Sequence, residues 1–232
     1  MFLNIILTFI LLTGSVHAAT PAQTSIAYNL FRNGTHIGVI NEHFEIKNGV
    51  YTASSEATAT GLFALAQRGP IRYTSAGEVT REGLRPLRFE GRRNNAVSSA
   101  DFDWKSSKLA LTHNGVNQSM ALPPATQDRL SAMYQLMHLV QNKTRTAGTV
   151  EFAMTNGRKL EHYRYHIAPD VVIETPLKRL TTLHLVKQRE ADDTQTEVWL
   201  APEFHHLPVK VVIVESDGVR YEQVVTRLDF QL

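Results

Sequence analysis

The residues best suited to hold a metal ion are histidines, of which the chain has ten. His162 and His166 have a spacing of four, which on a helix would align two ligands on one face. Their segment follows an Asn-Gly turn and has the pattern of a β-strand, where positions four apart lie ~13 Å from each other. The chain has no cysteine, so thiolate ligands, disulfides and a cysteine nucleophile are excluded. We therefore predict neither a metal nor a cofactor.

The serines lack the sequence contexts that mark a nucleophile. No Gly-x-Ser-x-Gly elbow occurs, and neither do the glycine-rich loops that bind phosphate groups. A triad assembled only in space stays open, because geometry and not spacing defines a triad. Its candidates would be Ser131, His138 or His184 with Asp103 or Asp128. We expect Ser131 and His138 to lie on a helix surface instead, and Asp101 with Asp103 to lie on a solvated strand, so no catalytic residue is predicted.

Two arginines and three apolar residues are candidates for ligand binding. Arg85 and Arg88 belong to a basic run around Phe89 that would suit an anionic group. The 24 basic residues are nearly balanced by 22 acidic ones, which gives no electrostatic reason to expect nucleic acid. Leu62, Phe63 and Leu65 form a short apolar stretch between strands, which we interpret as a turn of helix or a hydrophobic lip beside a groove.

Both tryptophans lie in predicted strands. Trp104 and Trp199 are expected to fill the core with their N–H groups bonded. Glu197 lies two residues before Trp199 and so shares its face, and a carboxylate beside an indole needs a partner, for which we suggest Arg129. With the apolar and basic candidates above, the candidate ligand-binding residues are Leu62, Phe63, Leu65, Arg85, Arg88, Trp104, Arg129 and Trp199.

The elements that must position these residues are mostly β-strands. Asn-Gly and Asp-Gly pairs recur along the chain and favour tight hairpin turns between alternating segments. In residues 37–46, for example, Ile40, Phe44 and Ile46 share a face. Residues 126–141 instead carry apolar residues three and four apart, which predicts one main helix with Thr126 as its N-cap. We predict a mainly β protein with one continuous antiparallel sheet that the helix plugs or straps.

The N-terminal residues have the pattern of an export signal. Residues 1–12 are mostly apolar and carry no charged side chain, and Val16-His17-Ala18 supplies small residues at the two positions that a signal peptidase reads, Val16 and Ala18. We predict cleavage after Ala18, a single domain over residues 19–232, and a periplasmic location. No later run of 18 apolar residues occurs, so no transmembrane segment is predicted after signal removal.

Several short phrases together resemble one protein family. The most specific are Thr-Gln-Asp-Arg-Leu-Ser at residues 126–131 and Glu-Val-Trp-Leu-Ala-Pro at residues 197–202. With Gly-Leu-Arg-Pro at 83–86 and Thr-Leu-His-Leu at 182–185, they resemble an exported proteobacterial family of unknown function, number three-one-zero-eight. The resemblance implies a strongly curled antiparallel sheet, a spiral or half-barrel β-roll like the lipoprotein carriers of the periplasm, and it brings no catalytic residues.

These observations favour a non-enzymatic binding or cell-envelope assembly protein. Its curled sheet would hold a lipid, another amphipathic ligand or a segment of an envelope protein in a groove closed by the helix. Two alternatives remain. One is a hydrolase acting on envelope material through an unmarked site, and the other is a structural protein that pairs with a partner through a strand edge.

Overall fold

The computed structural model describes residues 21–66, 69–141, 147–188 and 194–232, and the predicted signal segment lies outside them. Strands make up 68% of the residues that the structure describes, which confirms the mainly β prediction. The strands are β1 (Gln23–Arg32), β2 (Thr35–Lys47), β3 (Val50–Ala59), β4 (Ile71–Thr80), β5 (Gly83–Arg93), β6 (Ala96–Asp103), β7 (Lys108–His113), β8 (Val116–Ala121), β9 (Gln127–Asp128), β10 (Gly148–Thr155), β11 (Leu160–Glu174), β12 (Arg179–Lys187), β13 (Gln195–Ala201), β14 (Leu207–Val214) and β15 (Arg220–Gln231).

All fifteen of these strands belong to one open sheet. From one edge to the other the order is β8 to β1, followed by β15 down to β9. Neighbours in this order are antiparallel, except that the two-residue β9 pairs in parallel with β10. Most neighbours are also consecutive strands, but β1 pairs with β15. The chain therefore forms two meanders joined through its first and last strands, and the edges of the sheet are β8 and β9.

The hairpin turns use the asparagine and glycine residues that the sequence analysis identified. At Asn33-Gly34 both residues have positive φ, 48° and 79°, and the same holds at Asn48-Gly49. Two consecutive positive φ angles define the turn whose twist matches that of paired strands, and asparagine and glycine adopt them with little strain. These turns set the register that places Ile40, Phe44 and Ile46 on one side of β2, as predicted.

The main helix, α2 (Ser131–Val140), fills the inside of the curled sheet. Leu130, Tyr134 and Met137 pack into a core formed mostly by β1 to β7, whereas Ala132 and Leu136 pack into a second core formed by β10 to β14. A helix with buried residues on both sides is a central plug and does not lie across the sheet as a strap. A second helix, α1 (Phe63–Ala66), forms one turn between β3 and β4.

The start of α2 differs from the sequence prediction. Thr126 is not the N-cap, because the helix begins five residues later and the Thr126 hydroxyl donates to the carbonyl of Pro123 at 2.7 Å. Residues 127 and 128 form strand β9 instead, and the carboxylate of Asp128 accepts the first free N–H groups. Within the described residues, no helix is long and apolar enough to cross a membrane.

Candidate functional site

Asp128 joins the start of the helix to the sheet. Its Oδ1 accepts the N–H groups of Leu130 at 2.8 Å and Ser131 at 2.9 Å, and its Oδ2 accepts the hydroxyl of Ser75 on β4 at 2.6 Å. Ser75 is in turn bonded to the hydroxyl of Tyr51 at 2.9 Å. Burial raises the pKa of Asp128, while these hydrogen bonds oppose the rise. Every oxygen of this carboxylate is used, so its role is to hold the helix in the sheet.

The Asp128 cluster is not a catalytic triad. Ser131 is fully buried, so its expected place on the helix surface was wrong, and its hydroxyl accepts the N–H of Asp128 at 2.9 Å. No histidine bonds to Ser131 or Asp128 within the described part of the chain. In the same part, no three histidine, aspartate or glutamate side chains come together as a metal site would require.

Glu42 is a buried carboxylate on the inner face of β2, between Ile40 and Phe44. Its neighbours across the sheet are Ile26 on β1 and Ser55 on β3. Only 9% of the residue is exposed. Burial raises the pKa of Glu42 to about 7, although a hydrogen bond from Ser55 and the positive charge of Arg129 act in the opposite direction. At neutral pH this carboxyl group is therefore poised between its two protonation states.

Two buried tyrosines lie near Glu42. The negative charge of Glu42 adds to burial in raising the pKa of both Tyr28 and Tyr134. The hydroxyl of Tyr28 donates to the carbonyl of Pro208 at 2.9 Å. The ring of Tyr134 stacks on Phe44 with 4.1 Å between centroids, and its hydroxyl has no hydrogen-bond partner among the described residues. Within the described residues, the Tyr134 hydroxyl is therefore a buried donor without a partner, and the charge of Glu42 acts on it without a hydrogen bond.

The two tyrosines should respond differently to loss of the hydroxyl. Tyr28→Phe removes a buried hydrogen bond, so we expect the free energy of unfolding to fall by about 1–2 kcal/mol. Tyr134→Phe removes a hydroxyl that bonds to nothing, so we expect stability to change by less than about 0.5 kcal/mol or to rise. Urea unfolding followed by circular dichroism measures both. A loss in Tyr134→Phe as large as that in Tyr28→Phe would contradict the assignment.

An apolar groove of about 240 Å³ opens at the end of the sheet beside this face. Ala57 and Ile71 lie in its wall and pair with each other across β3 and β4. Arg93 and Asn94 provide the polar part of the rim. The remaining lining comes from Leu30 on β1, Ile37 on β2, the end of β3 and Phe63 in α1.

The predicted hydrophobic lip lies at this groove. Phe63 lines it and is 39% exposed, while Leu62 and Leu65 are 83% and 85% exposed. Among the eight residues selected from the sequence, Phe63 is the one that lines this groove, and Leu62 and Leu65 lie beside it in the same exposed turn. An apolar turn held in water beside an apolar groove is typical of a place where a ligand enters.

Arg85, Arg88 and Trp104 do not converge with the lip. The guanidinium of Arg85 lies 5.2 Å from the ring centroid of Trp104 and 3.6 Å from Glu78, and Trp104 donates its N–H to the carbonyl of Pro86. Arg88 pairs with Asp101 at 3.8 Å. Both arginines have acidic neighbours on exposed strands, as solvated strand faces usually do.

The suggested pairing of Glu197 with Arg129 was wrong. Glu197 bonds to the imidazole of His184 at 2.8 Å, and that ring stacks on Trp199 with 4.1 Å between centroids. Arg129 instead lies over the ring of Tyr73, 4.8 Å from its centroid, with its charge close to Glu42. Residues far apart in sequence decide such pairings, so the two-residue spacing of Glu197 and Trp199 was not enough to find them.

A second, more polar groove of about 480 Å³ crosses β1 to β5. His43, Thr52 and Arg88 contribute to its lining. Ser25 lies 2.9 Å from the Nδ1 atom of His43, and a similar pair joins Ser98 to His113 at 2.8 Å. No carboxylate bonds to either imidazole within the described ranges. These are Ser–His pairs without the third group that orients a catalytic base.

Comparison with known proteins agrees with the predicted family. The model of the family described as "Protein of unknown function (DUF3108)" matches residues 23–224. The chain belongs to this family. No curated protein matches it. Among solved structures, this DUF3108 protein is similar to the beta-barrel-like protein of domain of unknown function DUF1849 from Brucella abortus, with a TM-score of 0.57 and 8% identity over 93% of this chain and 100% of the other. At that identity the likeness shows the fold alone, and it confirms the curled β-sheet.

Proposed function

We propose that this protein is a non-enzymatic binding protein that holds the alkyl chain of a small amphiphile in the apolar groove. The observation that carries the proposal is the open groove beside the exposed lip of Leu62 and Leu65. Exposed leucines have an energetic cost in water that contact with an alkyl chain would remove. Because α2 fills the interior, the ligand occupies only the mouth of the curled sheet.

The export signal predicted for residues 1–18 supports a periplasmic location for this activity. The absence of cysteine is compatible with that compartment, since a large β core does not need disulfides. Signal removal can be measured by N-terminal sequencing of the protein from a periplasmic extract. An N-terminus at Ala19 would support the proposal, and recovery of the full-length chain in the cytoplasm would contradict it.

Groove binding can be tested with phenylnaphthylamine, a neutral apolar fluorophore, titrated into the exported protein. We expect saturable binding that Phe63→Asp weakens about tenfold or more, because a carboxylate in the groove would have to lose its water. Val116→Asp is the matched control, because Val116 is 63% exposed on β8 and distant from the groove in the sheet order. Absence of saturable binding, or equal weakening by both variants, would contradict the proposal.

The hydrolase alternative has one observation in its favour, the Ser25–His43 pair beside the polar groove. A fluorophosphonate probe, which labels activated serines, tests it directly. Labelling that Ser25→Ala abolishes would support hydrolysis, whereas an unlabelled folded protein would count against it.

The strand-edge alternative has β8 in its favour. This strand lies at one edge of the sheet, and its six residues include no charged residue and no proline, the features that commonly protect an edge. Crosslinking in whole cells from a photoreactive residue placed at Gln118 would capture a partner that pairs there.

A further inference from the structure

The lip formed by Leu62, Phe63 and Leu65 leaves two large apolar side chains in water. Leu62 and Leu65 are 83% and 85% exposed, while Phe63 is the member that lines the groove. The N–H of Leu65 donates to the carbonyl of Leu62 at 3.2 Å, so the two leucines lie three residues apart on one side of a helical turn. Closely spaced apolar side chains with this exposure are typical of a surface that contacts another apolar phase.

The lip lies at one end of the meander formed by β1 to β8, where five neighbouring strands begin or end. The groove beside it is lined by residues at the ends of β1, β3 and β5 and at the beginnings of β2 and β4. These strands are antiparallel neighbours, so the ends meet on the same side of the sheet. A partner that covers the lip therefore also contacts the side chains at these strand ends.

Two exposed arginines lie at the same end of the sheet. Arg93 ends β5 and lines the groove together with Phe63. Arg32 ends β1, two residues after the groove residue Leu30, so its side chain lies on the same face of the strand. Neither arginine forms an ion pair with a carboxylate in the parts of the chain that the structure describes.

The acidic side chains of β3 and β5 that lie near these strand ends occupy the opposite face. Glu56 is adjacent to Ala57 on β3, and Glu90 is three residues before Arg93 on β5, so both alternate to the outer face. Neighbouring arginines on that outer face pair with both carboxylates. The face that carries the lip is therefore apolar with a positively charged margin.

An apolar turn beside unpaired positive charges has the chemistry that complements an anionic phospholipid bilayer. Leucine side chains gain free energy when they leave water for the acyl region. Arginine side chains have long apolar stems, so their guanidinium groups remain at the level of the phosphates and bind them through several N–H donors. A protein partner would need a pocket shaped for one short turn, whereas a fluid bilayer accepts the turn without a preformed fit.

We propose that the lip, with Arg32 and Arg93, docks this end of the protein onto a bilayer that contains anionic phospholipids. Leu62 and Leu65 insert among the acyl chains, and the two arginines bind the phosphate groups. The inference goes beyond the proposed function, because docking requires no ligand in the groove. It also places the mouth of the groove at the bilayer surface, where an amphiphile would reach the groove without crossing water.

Sedimentation with lipid vesicles tests the docking. The exported protein is mixed at low ionic strength with vesicles of phosphatidylcholine, either alone or with about one third of the anionic phosphatidylglycerol. We expect binding to the anionic vesicles to be about tenfold tighter or more, since each arginine near such a surface contributes about fivefold. Raising the ionic strength should reduce this preference, because salt screens the attraction.

A pair of aspartates in the lip tests the insertion of the leucines. Leu62→Asp combined with Leu65→Asp should weaken binding to the anionic vesicles by about tenfold or more, because the leucine contacts are lost and charge would have to enter the bilayer. Val116→Asp combined with Val172→Asp is the matched control. These two valines are 63% and 47% exposed on β8 and β11, so the control adds the same charge at exposed apolar positions and should keep most of the binding.

A pair of glutamines tests the arginines. Arg32→Gln combined with Arg93→Gln should weaken binding to the anionic vesicles by about tenfold or more and leave binding to pure phosphatidylcholine unchanged. Arg179→Gln combined with Arg227→Gln removes the same net charge at exposed positions that already have carboxylate partners, at 3.7 and 3.5 Å. This control should lose less than about twofold. Circular dichroism checks that each variant is folded.

The outcomes separate docking from groove binding. Failure to bind the anionic vesicles, or equal weakening by a test pair and its control, overturns the docking. A photoreactive residue at Leu65 that crosslinks to a protein in whole cells, with no lipid adduct, overturns it in favour of a protein partner. If the vesicles bind and phenylnaphthylamine does not, docking stands and the proposed function fails; the reverse result overturns docking alone.

Discussion

Replacing Asp128 by alanine is expected to lower the free energy of unfolding by about 4 kcal/mol. The carboxylate is fully buried and accepts hydrogen bonds from Leu130, Ser131 and Ser75. Alanine would leave two backbone N–H groups and one hydroxyl buried without acceptors, and each such group costs about 1–3 kcal/mol before the structure relaxes. The start of α2 would also lose its attachment to β4, so the plug should loosen with it.

Two further variants show whether this loss comes from the missing acceptors. Asp128→Asn keeps an oxygen that can accept the N–H groups of Leu130 and Ser131, so we expect a smaller loss of about 1–2 kcal/mol. Asp103→Ala is the exposed control, because Asp103 accepts hydrogen bonds from an exposed turn, including the N–H of Ser106 at 3.0 Å. Urea unfolding followed by tryptophan fluorescence measures all three. A loss below about 1 kcal/mol in Asp128→Ala would show that the network does not hold the helix.

Glu42→Gln is expected to change how stability depends on pH. The pKa of Glu42 is about 7 in the folded protein and 4.5 ordinarily, so the folded state binds more protons than the unfolded state between these values. The contribution of Glu42 to the stability of the wild type therefore falls as the pH rises from about 4.5 to about 7. Because one pKa unit corresponds to about 1.4 kcal/mol, glutamine should be more stable than glutamate by about 3 kcal/mol above this window.

The comparison is the difference in unfolding free energy between Glu42→Gln and the wild type at each pH. Other carboxyl groups, including Asp128, are present in both proteins, so their contributions largely cancel. We expect a difference near zero at pH 4 that grows to about 3 kcal/mol at pH 8. Glu45→Gln, an exposed position on the same strand, should show no such trend. A difference that does not vary with pH would contradict the conclusion that burial of the Glu42 charge outweighs its stabilisation by Ser55 and Arg129.

Much of the fold follows from local signals. Asn-Gly pairs favour positive φ, and β-strands alternate their side chains between faces, so turns and strands can be predicted from a few neighbouring residues. The predicted helix start was wrong. Threonine is a residue type that commonly caps helices, and only the pairing of residues 127 and 128 with β10 shows that they form a strand.

The candidate site was only partly predictable. Leu62, Phe63 and Leu65 were selected because an apolar run between strands is visible in sequence, and of these the structure places Phe63 in the lining of a groove. Glu42 was missed although its signal was present. It lies between Ile40 and Phe44 in the alternation that assigned the inner face of β2, so the same pattern that predicted a buried face also predicted a buried carboxylate on it. Nothing in the sequence signals that the hydroxyl of Tyr134 has no partner within the described residues.

By itself, the sequence determined a β protein of hairpins around one helix, together with its family, because turn residues, strand alternation and characteristic phrases are local. Tertiary structure decided that the helix fills the curl, that Glu197 pairs with His184, and that Glu42 is buried near Tyr28 and Tyr134. Those outcomes depend on which strands become neighbours after the sheet curls. The burial and the partners of each side chain are therefore determined by residues far away in the chain.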